Sequence, residues 1–402
     1  MTAMEKKDKN FNVPNLRFPE FSGEWERSNL KRFATKITKK NKGNMCSNVL
    51  SNSANYGIIP QSDFFDRSIA NSDNTDTYYV IEGGDFVYNP RKSTAAPYGP
   101  INVYEGTEVG IISPLYLCFK VEWINKKYLY HYFKSNKWHP YMYINGDSGA
   151  RHDRVSIKDD VFLDMPLFVP SQKEQLKITL LLDAIDKRIE TQKKIIEDLK
   201  KLKDAICNLN FTSGSVLKLG NAGKFVRGLT YSASDVIDYT IGTAVMRSNN
   251  ISNGDPVNFE ELVWVNKTPN HEQILRSGDI VICMANGSSP LVGKASYYVD
   301  CGIESATVGA FCGIYRSDHP LTKWLFQSKH YKKHIQRCIQ GGNGAIANIY
   351  PEDILAISFN IPCGYERVLN ILNSLEEKYL LEQKLLSRYL GVKSYLLSRL
   401  FI

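Results

Sequence analysis

A chain of 402 residues with 43% hydrophobic and 23% charged residues has the balance of a globular protein, and is long enough for two or three domains with separate cores. Its formal net charge of +8 is modest for this length and by itself favours a polyanionic partner only weakly. No run approaches the ~18 apolar residues of a membrane span, and the opening MTAMEKKDKN lacks the apolar stretch of a secretory leader, so a cytoplasmic protein is expected. The eight cysteines (46, 118, 207, 283, 301, 312, 338 and 363) contain no C-x-x-C pair, which suits a reducing compartment where each is a small buried side chain.

In chain order, residues 1–29 read as an N-terminal extension and residues 30–168 as a first globular domain. The domain opens on LKRFATKITKKNKGN, where Lys31, Arg32, Lys36, Lys39, Lys40 and Lys42 have no acid among them and suit phosphate neutralisation or a solvated face. TYYVIEGGDFVYN places turn glycines ahead of a strand, and the polar loop Asn89–Gly99 (NPRKSTAAPYG) follows, offering Arg91 and Lys92. YLYHYFKSNKW reads as a short surface helix. At FVPSQKEQ a proline ends an apolar strand, and a charged, leucine-rich helix fills residues 169–211.

A second domain, 212–360, follows a short TSGS link. Its MRSNNISNG supplies Arg247, Asn249 and Asn250, and arginine and asparagine are the residue types that read guanine and adenine through paired hydrogen bonds. EQILRSGDIVICM repeats the glycine–strand pattern, and the loop Ala285–Lys294 (ANGSSPLVGK) adds Asn286 and Lys294. TKWLFQSKHYKKHI again looks like a short surface helix, NIPCGYER again leads into a helix, and residues 361–402 form that helix.

The two helices are one element written twice. With Phe211 set on Phe401, an offset of 190, Ile178, Leu182, Ile185, Ile189, Ile196, Leu199 and Ile206 fall on Val368, Leu372, Leu375, Tyr379, Leu386, Tyr389 and Leu396. Their alternating spacings of four and three make a narrow coiled-coil seam. The seam breaks in both copies together, Gln192 against Glu382 and Lys203 against Lys393. Upstream, Gly84-Asp85-Phe86-Val87 matches Gly278-Asp279-Ile280-Val281. The chain is therefore a duplicated unit, and two copies tend to arrange about a pseudo-two-fold axis. Antiparallel helices of about 40 residues, ~60 Å long, with one globular domain at each end would follow. Two tandem domains with ordinary core helices are the plainer alternative. The fold class expected is α/β (α+β).

Catalytic motifs are near misses. GNAGKF (Gly220–Phe225) has the wrong spacing for a phosphate loop, Tyr88-Asn89-Pro90-Arg91 lacks the second proline of an amino-methyltransferase loop, and no G-x-G-x-x-G opens a helix. The seven histidines show no metal spacing, and Asp159/Asp160 and Glu260/Glu261 read as solvated strand-edge or turn pairs.

NVPNLRFPEFSGEWE (Asn12–Glu26), the lead-ins at Pro170 and Pro362 with their long Lys/Glu/Leu helices, and GIISPLYLCFKV (Gly110–Val121) together resemble specificity subunits of type I restriction–modification systems over essentially the whole chain. The resemblance implies two target-recognition domains separated by two antiparallel helices. Each domain would read half of a split double-stranded DNA site. The helices would space the halves and dock two modification (methyltransferase) subunits, with restriction (motor–nuclease) subunits joining. The chain would be non-catalytic and bind no cofactor or metal, its partners using S-adenosylmethionine, ATP and magnesium. The candidate DNA-facing residues are Lys36, Lys39, Lys40, Lys42, Arg91, Lys92, Arg247, Asn249, Asn250, Asn286 and Lys294. A coiled-coil scaffold with protein-binding heads is the alternative. Gly391 inside the second helix, where the first has Lys201, and the missing second copy of the N-terminal motif depart from symmetry.

Overall fold

The computed structural model describes residues 12–63, 75–148, 153–211, 214–238, 241–341 and 346–402. Two compact units divide the chain: residues 1–193 with 385–402, and residues 194–384. Both boundaries fall inside the long helices, Gln172–Asn210 and Tyr365–Arg399, so each unit holds part of each helix.

In the first unit, strand Glu26–Asn29 pairs antiparallel with Pro166–Val169, bringing the start of the domain to its end. The described part of the expected N-terminal extension, residues 12–29, packs on the body: Trp25 is buried in the same core as Leu30, Phe33 and Leu167. A four-stranded sheet runs in the order Ala34–Lys36, Leu117–Val121, Phe86–Tyr88, Ile101–Val103. Successive side chains on a strand point to opposite faces, and the sheet shows it. Phe86, Tyr88 and Phe119 enter one cluster with helix Lys126–Lys134, while Val87 and Cys118 enter another with Leu50, Ile81 and Ile112 of a second sheet.

The second unit repeats this frame. Strand Ser215–Lys218 pairs with Ser358–Ile361, and a sheet runs Lys224–Arg227, Cys312–Arg316, Ile280–Cys283, Ala295–Tyr297. Ile280, Ile282 and Tyr315 face one cluster, and Val281, Cys283 and Ile314 the other. In both units the second sheet contains a parallel pair, Val49–Ser53 with Gly110–Ile112 and Thr243–Met246 with Ala306–Val308. The edge strand differs: Tyr79–Ile81 extends one side in the first unit, and Val236–Ile237 the other side in the second.

Two expectations are corrected. The segments read as surface helices are core elements: Tyr128, Leu129, Tyr132 and Phe133 are buried, as are Trp324, Leu325 and Phe326. Each is also broken, at Ser135 and at Ser328, so that helices His139–Asn145 and Lys329–Cys338 follow. The aromatic density that gave them a mixed surface pattern is what fills the core. The cysteines are not uniformly buried either, since Cys301 and Cys363 are exposed.

The seam residues of both helices are buried or half-buried throughout. In the first unit Ile178 and Leu182 share a cluster with Leu397, Leu400 and Phe401, and further along Asp186 pairs with Lys393. In the second unit Lys203 pairs with Glu376 at 2.8 Å, and Cys207 and Phe211 share a cluster with Leu372. In each unit, advancing along one helix retreats along the other, so the helices are antiparallel. The two ion pairs are the same pair, since Lys203 and Asp186 shifted by 190 are Lys393 and Glu376. Their surroundings differ. Lys203 and Glu376 are 3% and 4% exposed, Tyr297 donates its hydroxyl to Glu376, and Tyr379 and Trp324 flank the ammonium. Lys393 and Asp186 are 24% and 33% exposed. Gly391 lies exposed in an unbroken helix, with open space where a Cβ would go.

Removing one partner of a buried ion pair strands the other charge, whereas a half-exposed pair leaves it hydrated. Glu376→Ala is expected to destabilise by about 3–5 kcal/mol, and Asp186→Ala by no more than about 1 kcal/mol. Hydrogen exchange of amides in 194–210 and 365–384, compared with those in 172–193 and 385–399, measures the contrast.

Candidate nucleic-acid interface

The repeat places equivalent residues by register. Phe86 faces Phe119 across the sheet as Ile280 faces Tyr315, which makes Lys120 the counterpart of Arg316 and Asp85 the counterpart of Asp279. Both aspartates follow a glycine of positive φ (Gly84, +90°; Gly278, +94°), a left-handed turn position that favours glycine. Each turns its carboxylate back onto its own loop, Asp85 accepting from Glu82 N–H and Asp279 from Arg276 N–H at 2.8 Å. Asp279 also accepts two hydrogen bonds from Arg316, at 2.8 and 2.6 Å. Lys120 instead reaches Glu82, and Asp85 Oδ1 is buried without a partner. Burial, opposed by the Glu82 amide, holds the Asp85 carboxyl above its ordinary pKa.

That asymmetry is testable. Arg316→Ala strands a buried carboxylate and is expected to cost about 3 kcal/mol, whereas Lys120→Ala is expected to change stability by less than about 0.5 kcal/mol. Because the Asp85 pKa is raised, the folded chain keeps a proton that the unfolded chain has lost. Stability therefore falls as pH rises from about 4 through the raised value. Asp85→Asn is expected to flatten that fall in denaturant midpoints measured across the interval.

The loops after these strands converge with the end of the parallel pair. In the first unit Arg91 bridges to Arg154, Lys92 N–H donates to Asp153 O, and both arginines lie near the Tyr116 hydroxyl, which Ser51 also contacts. Burial raises the Tyr116 pKa against the lowering effects of Ser51, Arg154 and Arg91. In the second unit Ala285 pairs with Asn348 and Asn286 with Ala347. Asn286 donates to Ser248 Oγ at 3.1 Å, next to Arg247. A cavity of about 410 Å³ opens here among Tyr231, Arg247, Asn286 and Phe311. By register, Ser51 corresponds to Arg247, Arg91 to Ala285, Lys92 to Asn286, Leu115 to Phe311, Tyr116 to Cys312 and Arg154 to Asn348. One frame presents six positions, and none keeps its residue.

The remaining sequence candidates spread out. Lys36 is held by Asp159 at 2.5 Å, which raises its pKa chiefly through that hydrogen bond; Lys31 pairs with Asp164 and Arg32 with Glu26. Half of the acid-free basic cluster is thus neutralised by acids distant in sequence, and Asp159 is a helix-start residue engaged with Lys36. Lys39 and Lys42 are exposed, and Lys40 lies over the Tyr79 ring at 3.3 Å, beside the edge strand. Asn249 and Lys294 line a different cavity of about 530 Å³ with Lys200. Asn250 is a correction. It is fully buried, donating to Asn258 O and Glu260 O and accepting from Arg247 N–H, so its side chain is occupied in shaping the loop. GNAGKF forms a four-residue helix, Leu219–Ala222, running into a strand.

Nothing in the sequence singles out Tyr116, Arg154 or Phe311 as residues of this site. Tyr116 lies in GIISPLYLCFKV, which carries the resemblance without singling out a side chain; Arg154 is brought in by a remote β-bridge, and Phe311 is an exposed aromatic in a turn. Among the described residues no group of three His, Cys, Asp or Glu could hold a metal, and no helix is long and apolar enough to cross a membrane.

The N-terminal motif has a defined job. Arg17 donates twice to Glu174, both at 2.8 Å, and Trp25 Nε1 adds a third bond at 3.2 Å, clamping the first turn of the long helix. Glu174 is 2% exposed. Its counterpart Glu366 is exposed, in keeping with the absence of a second copy of the motif.

A chain with this duplicated frame and paired long helices has the fold of the S subunit of type I restriction–modification systems. The crystal structure of such a subunit from M. genitalium matches over 97% of this chain and 99% of that one, with a TM-score of 0.55 at 15% identity. A structure of type I R-M complex assembly and conformational transition matches over 94% of this chain and 97% of that one, with a TM-score of 0.52 at 12% identity. In sequence the chain is similar to the type I restriction enzyme EcoKI specificity subunit of Escherichia coli (strain K12), 32% identical over 147 residues, which is 34% of this chain and 30% of that protein's length. The chain thus spans less than a third of the curated relative it matches. No family model matches.

Proposed function

We propose that this chain is the DNA-specificity subunit of a type I restriction–modification complex, a cytoplasmic, non-catalytic protein that aims the chemistry of its partners. The observation that carries the reading is the pair of equivalent loop sets: one frame, built twice, with different side chains at all six register-matched positions. Two copies of one scaffold that carry different side chains on their projecting loops suit two different half-sites. Arg91, Lys92 and Arg154 in one unit and Arg247 and Asn286 in the other supply the donors, with Lys39, Lys40, Lys42, Asn249 and Lys294 elsewhere on the same units; Lys36 and Asn250 serve the scaffold. The paired helices are the natural docking element for methyltransferase subunits, which bring S-adenosylmethionine, and for motor–nuclease subunits, which bring ATP and magnesium. A protein-binding scaffold would give these loops no reason to carry arginines that have no carboxylate partner among the described residues.

Binding energy divided between two half-sites makes both necessary. With the methyltransferase subunits present, duplexes with one half-site scrambled are expected to lose specific binding and methylation, each mismatched pair costing about 1–3 kcal/mol. Equal gel-shift affinity for scrambled and intact duplexes rejects the proposal. Replacing residues 30–168 with those of a homologue is expected to change one half of the methylated motif and leave the other intact.

A further inference from the structure

In the second unit Arg247, Asn286 and Phe311 line one cavity, where the register-matched positions of the first unit hold Ser51, Lys92 and Leu115. Arg247 is exposed, and its guanidinium has no carboxylate partner among the described residues. Its backbone is fixed all the same: Arg247 N–H donates to Asn250 Oδ1 at 2.9 Å, and Asn250 is anchored in turn to Asn258 O and Glu260 O. A free head on a fixed stem is preorganised for binding, because little ordering remains to be done. Beside it Asn286 is oriented by Ser248 Oγ and by the Ser288 N–H it accepts. Phe311, 64% exposed at the tip of a turn, forms another wall of the same cavity.

Building on the DNA-specificity reading, we infer that Arg247 reads a guanine in the half-site of the second unit, with Phe311 packed against the neighbouring base. A guanidinium offers two parallel N–H groups, and in the major groove guanine alone presents two acceptors, O6 and N7, to match them. An exposed phenyl ring at the same depth has an apolar counterpart there in the thymine methyl or the face of an adjacent base. The register-matched residues of the first unit, Ser51 and Leu115, supply neither the fork nor the ring. The guanine that Arg247 reads therefore belongs to the half-site of the second unit.

The test uses the full chain assembled with its methyltransferase subunits and a randomised duplex library, comparing wild type with Arg247→Ala, Arg247→Lys and Phe311→Ala. These residues are exposed, so the variants retain the fold. Wild type is expected to select a split motif with a guanine in one half. Arg247→Ala should relax that single position by about tenfold or more, Arg247→Lys should keep part of the preference, and Phe311→Ala should relax the adjacent position by a smaller factor. The opposite half is expected to stay unchanged in every variant. Uniform weakening across all sequences with a shallower salt dependence would mark Arg247 as a phosphate contact and overturn the inference. So would an unchanged motif, or relaxation at an A·T position. A wild-type assembly that selects no motif overturns the DNA-specificity reading itself, and the inference with it.

Discussion

A lysine facing an acid in the seam between the long helices is the constraint on which the fold depends. An apolar seam alone tolerates slippage, because one heptad of leucines packs nearly as well as the next. A charge in that seam does not: shift the second helix by a turn and Lys203 faces no carboxylate while buried at 3% exposure. Polar residues at seam positions specify register at some cost in stability. The duplication makes the device economical, since one lysine and one acid per helix yield two pairs when the helices run antiparallel. Divergence has left one pair dry and aromatic-lined, the other wet.

The same logic separates frame from loops. The frame is kept by residues whose partners are local or across a strand: a left-handed glycine, an aspartate turned back onto its own loop, and alternating apolar faces on the central sheet. None of these involves the loop tips. Ser51 can stand where Arg247 stands, and Leu115 where Phe311 stands, without disturbing the pleat beneath. Even inside the frame, substitutions that spare the backbone bonds are tolerated, as when Lys120 replaces the arginine that Asp279 enjoys.

What was legible in the sequence was what is written in periodicity. The helix repeat, its shared polar breaks and the glycine–aspartate strands all show in spacing, because seam and pleat impose periods of 3.5 and 2 residues. The acid halves of the seam pairs, Asp186 and Glu376, were passed over because they read as ordinary helix charges. Partnerships between distant residues escaped for the same reason. Nothing local in LKRFATKITKKNKGN signals that Asp164, Glu26 and Asp159 will neutralise half of it. Nothing local in NVPNLRFPEFSGEWE tells that Arg17 and Trp25 will close on Glu174 across more than a hundred residues. Asn250 has the residue type of a base reader, yet on this tight turn it faces inward while Arg247 and Asn249 are exposed.

That last pairing shows how a reading loop is made from a structural one. A turn that must present a free arginine has to satisfy its own backbone by other means, and a buried asparagine does so with one acceptor and two donor contacts. The cost of burying Asn250 is offset because all three contacts are made. Asn250 thus spends its hydrogen-bonding capacity inward so that Arg247 keeps its own outward. In a duplicated chain this is the arrangement that permits divergence: the inward residue holds the loop, and the outward one is free to change what is read.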